Sequence, residues 1–416
     1  MLWARRSRPR AGTGAVAAVE QNNAGKMNSA RFEMKLTACI ALVVISGATL
    51  PVAAGPYSGA LGDSLNAYDP PIPGWVGPAG DGYADVPDWY PHPGNYVNPA
   101  FLGWATGYRD YLAADFVDPG FDDPSLALGP VTGFEFDTVS LGDMGAGRIA
   151  AHLAAPDDPN IVHPGRITLT FQFPIRNGDG ADFAVFENGF ARVASADFFA
   201  ELAHVEVSSD GVHFARFDSR SLTTEPNPQF HTYLTINATD LYNLAGKHTN
   251  AQGISWGTPF DLQELTTDPL AIAGDLDLTE IRYVRVVDIP GSGDFLDDAD
   301  PQDPIYDAWV TVESGGFDLD AVGALHVKVP GDANLDDEVG IFDLGILADC
   351  YGMTSGADWG MADFNGDGAV NILDLGMMAD NYGFGRDSSP PTPEPATAAL
   401  LLAAGAMALR RRRRID

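Results

Sequence analysis

The chain has 416 residues, which fits two or three domains, and its 24 Lys and Arg against 57 Asp and Glu give a formal net charge of −33 at pH 7. A chain this acidic repels the phosphate backbone, which excludes nucleic acid as an expected partner and favours divalent cations. Its 46 glycines and 30 prolines indicate turns and short strands rather than long helices.

The first 54 residues carry the pattern of an export signal. Met34 and Lys35 begin a short basic start, an apolar run follows, and residues 52–54 form a small-residue cleavage site. This order predicts a secretory signal peptide, so we expect residues 1–54 to be a leader that starts from Met34. Residues 1–33 are then either an unused upstream start or an unusually long basic region.

Residues 55–327 form the bulk of the exported chain. They contain strand-like runs separated by Gly, Pro, Asn and Asp, at 166–173, 182–187, 204–208, 231–236, 281–287 and 309–313. Short runs with many turn signals predict a mainly β, antiparallel sandwich. Nine aromatic residues between Trp75 and Tyr111 either form a platform for sugar rings or pin an irregular segment onto the sandwich.

Two pieces of this region carry a family resemblance. Residues 205–208 alternate apolar and polar side chains before an Asp210-Gly211 turn, and residues 281–287 alternate in the same way with both arginines outward. These pieces resemble strands of the galactose-binding-like, or discoidin-type, jelly roll. The resemblance implies a jelly-roll-like β-sandwich that binds carbohydrate or matrix. A wider set of segments resembles an uncharacterised domain of surface proteins and implies no activity.

Acidic residues of the sandwich allow two interpretations. Glu187 and Asn188 follow a predicted strand, Asp318 and Asp320 lie on one side of another, and six aspartates crowd residues 294–307. Adjacent carboxylates repel one another unless solvent screens them or a cation bridges them. They therefore either hold a further structural Ca²⁺ in the sandwich or form solvated acidic loops.

Catalytic patterns in the sandwich are weak. Residues 253–257 match G-x-S-x-G, but a proline soon follows and no nucleophile helix opens there. Glu187 with Glu201 or Glu206 would suit a glycosidase, whose chemistry depends on the separation of its two carboxylates. A non-catalytic protein is the first hypothesis, and a polysaccharide-degrading O-glycosyl hydrolase is the alternative.

One pattern occurs twice between residues 332 and 382, with an offset of 31 residues. Ca²⁺ takes oxygen ligands from positions 1, 3, 5, 7, 9 and 12 of a 12-residue loop, with Gly at position 6. The predicted ligands, of which Glu338 and Ala369 contribute backbone carbonyls, are Asp332, Asn334, Asp336, Glu338, Asp343, Asp363, Asn365, Asp367, Ala369, Asn371 and Asp374. Gly368 satisfies position 6 where the first loop has Asp337, and Gly340 at position 9 of the first loop offers no side-chain oxygen. We therefore expect the second site to bind more tightly.

Each loop is followed by an apolar pattern at helix spacing and a Tyr-Gly stop. Residues 328–385 resemble a type I dockerin, a small α domain of two EF-hand-like calcium loop–helix repeats. The resemblance implies docking to a cohesin-type domain of another protein, in assemblies that handle polysaccharide. Positions 10 and 11 help select the partner in this family, and here they are Ile341, Phe342, Ile372 and Leu373. A calcium-stapled fold without a partner is the alternative.

Residues 386–416 contain a Ser/Pro/Thr linker, the Pro393-Glu394-Pro395 motif, a 14-residue apolar run and five arginines from Arg410. The run predicts a helix of about 21 Å, shorter than the ~30 Å core of a bilayer. This order of parts resembles the PEP-CTERM sorting signal. The resemblance implies transient membrane insertion, cleavage near Pro-Glu-Pro by exosortase-type machinery, and delivery to the cell surface or extracellular matrix. An ordinary membrane anchor is the alternative.

Overall fold

The computed structural model describes residues 72–76 and 96–385, apart from 133, 135, 192–197, 225, 227–235, 237 and 249–255. The predicted leader, the sorting tail with Pro393, Glu394, Pro395 and Arg410, part of the early aromatic cluster and most of the G-x-S-x-G pattern lie outside the described residues. None of the helices in the described part of the chain is long and apolar enough to cross a membrane.

The described elements are mostly short strands. They are β1 (Ile72–Pro73), β2 (Trp75–Val76), β3 (Tyr96–Val97), β4 (Gly103–Leu112), β5 (Val139–Ser140), β6 (Arg166–Ile175), β7 (Phe183–Glu187), β8 (Phe190–Ala191), β9 (Phe198–Phe199), β10 (Ala203–Ser208), β11 (Ala215–Arg216), β12 (Arg220–Ser221), β13 (Leu241–Tyr242), β14 (Trp256–Phe260), β15 (Ile281–Asp288), β16 (Ser292–Leu296), β17 (Pro304–Tyr306) and β18 (Asp318–Ala324). The helices are α1 (Ala146–Ala154), α2 (Pro269–Ala273), α3 (Ile341–Cys350) and α4 (Ile372–Asn381), with short 3-10 turns at Pro124–Ala127, Ala238–Asp240, Leu262–Thr267 and Trp359–Met361.

Ten of these strands form one curled antiparallel sheet. Its order is β1-β14-β7-β18-β4-β6-β15-β10-β11, and β5 also pairs with β18. Strand β4 pairs with β18 at its start and with β6 along the rest, so it joins the two halves. Phe217, which follows β11, packs on Phe183 of β7 and Phe260 of β14 with ring centroids 5.9 Å and 5.1 Å away. The two ends of the path therefore share one core, and the mainly β, antiparallel prediction is confirmed.

The predicted hairpin lies in this sheet. Strand β10 pairs with β11 and β15, with Glu206 opposite both Arg216 and Arg285. The Asp210 carboxylate accepts hydrogen bonds from the backbone N–H groups of Val212 and His213, which closes the turn at Gly211, whose φ is +77°. Alternation therefore placed both strands correctly, since one face of each buries its apolar side chains.

The strand predicted at residues 309–313 is wrong. That segment is irregular, and no strand of the described chain includes it. The backbone N–H of Thr311 donates to the carboxylate of Asp143 at 2.8 Å instead of pairing with a neighbouring strand. The Trp309 indole N–H donates to the Met144 carbonyl at 2.9 Å. A side-chain carboxylate and a backbone carbonyl, both distant in the sequence, thus accept hydrogen bonds from a run whose composition favours a strand.

The two loop–helix repeats form a small unit packed against the sheet. Leu344, Leu347 and Met378 are buried in a core continuous with that of the sheet. Gly352 and Gly383 follow the two helices with φ of +94° and +93°, as the Tyr-Gly stops predicted. The two repeats are tied to each other where Gly383 N–H donates to the Val339 carbonyl and Val339 N–H to the Phe384 carbonyl.

Candidate metal-binding sites

The first loop folds around the carboxylates at its positions 1 and 12. Asp332 accepts the backbone N–H groups of Asp336 and Asp337 on its two oxygens, at 3.2 and 3.0 Å. Asp343 accepts Ala333 N–H at 2.9 Å on one oxygen and Gly340 N–H at 2.8 Å on the other. Asp332 and Asp343 are both buried. The loop amides therefore hold both carboxylates in place.

The second loop repeats this network residue for residue. Asp363 accepts Asp367 N–H at 3.2 Å and Gly368 N–H at 2.7 Å. Asp374 accepts Phe364 N–H at 3.0 Å and Asn371 N–H at 2.8 Å. The sequence offset of 31 residues thus reappears as a shared backbone geometry. The Asn371 amide oxygen also accepts Leu373 N–H at 2.9 Å, so this predicted ligand caps α4.

The carboxylates of the first loop come closest together. Oxygens of Asp332, Asp336 and Asp343 lie within 4.8 Å of one another. Among the described residues no other trio of acidic side chains was found at that spacing, those of the second loop included. Burial, then the charges of Asp343 and Asp336, raise the pKa of Asp332 to about 6. Such a group, made wholly of oxygen donors with mutual repulsion, fits a hard divalent cation.

The predicted partner residues, at positions 10 and 11 of the loops, are exposed. Ile341 and Phe342 are 50% and 75% exposed at the start of α3. Ile372 and Leu373 are 64% and 60% exposed at the start of α4. Large apolar side chains are therefore exposed at equivalent positions of both repeats.

A second acidic group, which the sequence analysis did not bring together, lies where several strands of the sheet begin or end. Glu187 ends β7, Asp318 begins β18 and Glu201 precedes β10, and all three are buried. Burial, then the charge of Asp318, raise the pKa of Glu187 and that of Glu201 well above their usual range. Burial raises the pKa of Asp318 to about 7. The sequence signal that could have revealed this group is the position of each acid at or beside the end of a strand.

The aspartates of residues 294–307 are partly exposed and partly bonded to the backbone. Asp294 and Asp300 are exposed, as solvated acidic loops would be. Asp298 is also exposed, but its carboxylate accepts the backbone N–H and the hydroxyl of Ser219 at 2.8 and 2.9 Å. Asp297 is buried and accepts Ser221 N–H at 2.9 Å, which ties its loop to β12. Asp307 is buried and accepts Leu202 N–H at 2.7 Å. These two carboxylates therefore brace the backbone.

The glutamates considered as a glycosidase pair lie in different surroundings. Glu206 forms ion pairs with Arg216 at 2.8 Å and Arg285 at 3.2 Å. Glu187 and Glu201 are buried. A cavity of about 350 Å³ in the described chain is lined instead by His152, His163, His204, Arg216 and Phe295, among others.

In comparisons with known proteins, no family model and no curated protein matches the chain.

Proposed function

We propose that this chain is an exported, surface-sorted, non-catalytic protein whose repeats bind two Ca²⁺ ions and dock onto a cohesin-type domain. The observation that carries the proposal is the duplicated network around positions 1 and 12 of each loop, together with an exposed apolar pair at positions 10 and 11 of each. In this proposal the sandwich, of discoidin type, binds carbohydrate or matrix, and the PEP-CTERM-like tail delivers the protein to the cell surface.

The residues of the loops fit Ca²⁺ by donor type and by charge. Asp332, Asp336 and Asp343 present three carboxylates, while Asn334 and the Glu338 carbonyl add neutral oxygens. Ca²⁺ prefers six to eight such ligands. Without a cation the crowded charges oppose the loop conformation. Binding would remove that repulsion and contribute to the folding free energy of the repeats.

Docking is supported by the positions of the exposed apolar residues. Phe342 and Leu373 each occupy position 11 of a proposed calcium loop, in the first turn of a helix. A loop rigidified by a cation holds that first turn in a fixed direction, which lowers the entropy cost of association. Buried aromatic and aliphatic anchors commonly dominate binding energy at interfaces. The proposed partner therefore contacts both helix starts in a calcium-dependent manner.

Calcium titration of the full-length chain after chelation tests the first half of the proposal. Calorimetry should find sites that are lost in Asp332→Asn (first loop) and in Asp363→Asn (second loop). Asp380→Asn, an exposed acid of α4, is the matched control and should leave the stoichiometry unchanged. Trp359 reports on the first loop, because its indole N–H donates to the Asp332 carbonyl at 2.7 Å. Equal binding by the control and both loop variants would contradict the assignment.

Binding to cohesin-type domains encoded in the same genome tests the second half. The wild-type chain should bind at least one such domain with Ca²⁺ and lose binding with chelator. Phe342→Asp with Leu373→Asp should abolish docking while the calcium stoichiometry stays that of the wild type. Docking that survives both the substitutions and the chelator would refute the proposed surface.

A further inference from the structure

Carboxylates from strands far apart in the sequence come together at the end of the sheet where β7 ends with Glu187. Strands β7 and β18 are antiparallel, so the end of β7 meets the start of β18. Strands β10 and β15 are antiparallel as well, which brings the residues before β10 beside the end of β15. The buried acids assembled there are Asp143, Glu187, Glu201, Asp288, Asp307 and Asp318.

Three of these acids serve as braces for the backbone. Asp143 accepts Met144 N–H at 2.6 Å and Thr311 N–H at 2.8 Å. Asp288 accepts Phe317 N–H at 2.8 Å, and Asp307 accepts Leu202 N–H at 2.7 Å. Their hydrogen bonds explain why the chain keeps these carboxylates inside, although one oxygen of Asp288 is also buried without a hydrogen-bond partner.

The other three have oxygens that no such role explains. Both carboxylate oxygens of Glu187 are buried without a hydrogen-bond partner, and so are one oxygen of Glu201 and one of Asp318. No Lys or Arg within the described ranges forms an ion pair with any of the three. A buried carboxylate without a partner is costly, and neighbouring carboxylates add repulsion. A cation held between the three would relieve both the cost of burial and the repulsion.

The backbone around these oxygens is rigidly held. Ala308 N–H donates to the Ala200 carbonyl and Ile289 N–H to the Leu202 carbonyl, both at 3.0 Å, which fixes the segment carrying Glu201. Asn188 N–H donates to the Asp318 carbonyl at 3.1 Å, which keeps Glu187 beside that strand. The carboxylates with unpartnered oxygens thus lie on hydrogen-bonded backbone of the sheet and not on a solvated loop.

We propose that Glu187, Glu201 and Asp318 hold a divalent cation, Ca²⁺ by donor type, inside the sheet and apart from the two loops. Oxygen donors alone favour Ca²⁺ over zinc or copper, which prefer imidazole and thiolate. Among the described residues, no trio of acidic side chains other than that of the first loop lies within 4.8 Å, so the three side chains in the sheet must move closer together to hold the cation. Its role is structural, because it neutralises the buried carboxylates where the end of β7, the segment before β10 and the start of β18 meet.

The inference is independent of the proposed function and is tested with the loops disabled. The full-length chain carrying Asp332→Asn and Asp363→Asn is stripped with chelator, dialysed against CaCl₂ and analysed for bound metal by mass spectrometry. One equivalent of calcium per chain should remain, and calcium should still raise the melting temperature. No bound calcium and no thermal response would overturn the site, whatever the loops do in the wild-type chain.

Isosteric substitutions then locate the ion. In the loop-disabled chain, Glu187→Gln should remove the remaining equivalent, whereas Glu206→Gln, at an acid already paired with two arginines, should retain it. If Glu187→Gln fails to fold, Asp318→Asn provides the second variant, and terbium luminescence on the folded loop-disabled chain provides a measurement that needs no sheet substitution. Retention of the ion in both variants, or absence of terbium binding, would overturn the assignment.

Discussion

Asp337 occupies the position where a calcium loop ordinarily carries glycine, and the structure gives a reason for the exchange. Its φ is +65°, in the left-handed region that Asp tolerates better than most residues. Its carboxylate pairs with the guanidinium of Arg176, which also donates to the Leu335 carbonyl at 2.9 Å. Gly368 has a φ of +79° at the equivalent point of the second loop. The first loop thus accepts backbone strain and gains a charged contact with the sheet.

A pH prediction arises at His204, which is buried in β10. Burial and the charge of Arg216 lower the pKa of His204 from 6.5 to about 3 in the folded chain. Between these two pKa values, His204 binds a proton in the unfolded chain but not in the folded chain. The contribution of His204 to stability is therefore complete above pH 6.5 and is lost as the pH falls toward 3, at no more than about 1.4 kcal/mol per pH unit.

Urea unfolding of His204→Asn and the wild type between about pH 4.5 and 7.5 checks this. The difference in free energy of unfolding should shrink as the pH falls, because the variant lacks the titrating group. His213→Asn is the control of opposite sign, since Asp210 raises the pKa of that exposed histidine and its contribution is lost as the pH rises. A pH-independent difference for His204→Asn would contradict the prediction.

At the scale of elements, the periodicity of the sequence predicted the strands, turns and loops that depend on local interactions. Strand β15 and the turn at Gly211 follow from alternation and turn chemistry, and both loops follow from a repeat with fixed oxygen positions. The acidic group in the sheet could not be assembled in this way. Glu187 and Glu201 were noted as acids, but their meeting with Asp318 depends on the order of strands, which a single sequence does not state.

The second loop supplies the element-scale prediction. Asp374 accepts two backbone N–H groups that its loss would leave unsatisfied. Asp374→Ala should therefore weaken calcium binding and speed amide exchange across residues 363–383. Asp374→Asn, which keeps an acceptor without the charge, should retain more of the loop while still weakening the ion. Unchanged affinity and stoichiometry in the alanine variant would refute the second-loop assignment.

At the scale of the whole molecule, the repeats and the sheet behave as neighbours with specific contacts. Arg176 pairs with Asp337, the Lys328 ammonium lies 4.5 Å from the Trp359 ring, and Phe173 packs edge-on against Phe384 at 5.7 Å. The Arg176 side chain is nearly enclosed, so loss of its partner leaves a poorly solvated charge. The state of the first loop should therefore affect the end of β6.

Disabling the loops tests this coupling without disturbing a cation in the sheet. A ligand at about 100 times its Kd stabilises the state that binds it by about 2.7 kcal/mol, so the chain with Asp332→Asn and Asp363→Asn loses that contribution at each loop. Hydrogen exchange should then accelerate in residues 332–383 and also at the adjoining end of β6, while the pairing of β10 with β15 stays protected. Arg176→Gln should by itself loosen the end of β6, because it removes the contact that transmits the effect. If the loop variants accelerate exchange in the repeats alone, the two parts fold side by side without energetic coupling, and the Asp at position 6 has no role beyond its own loop.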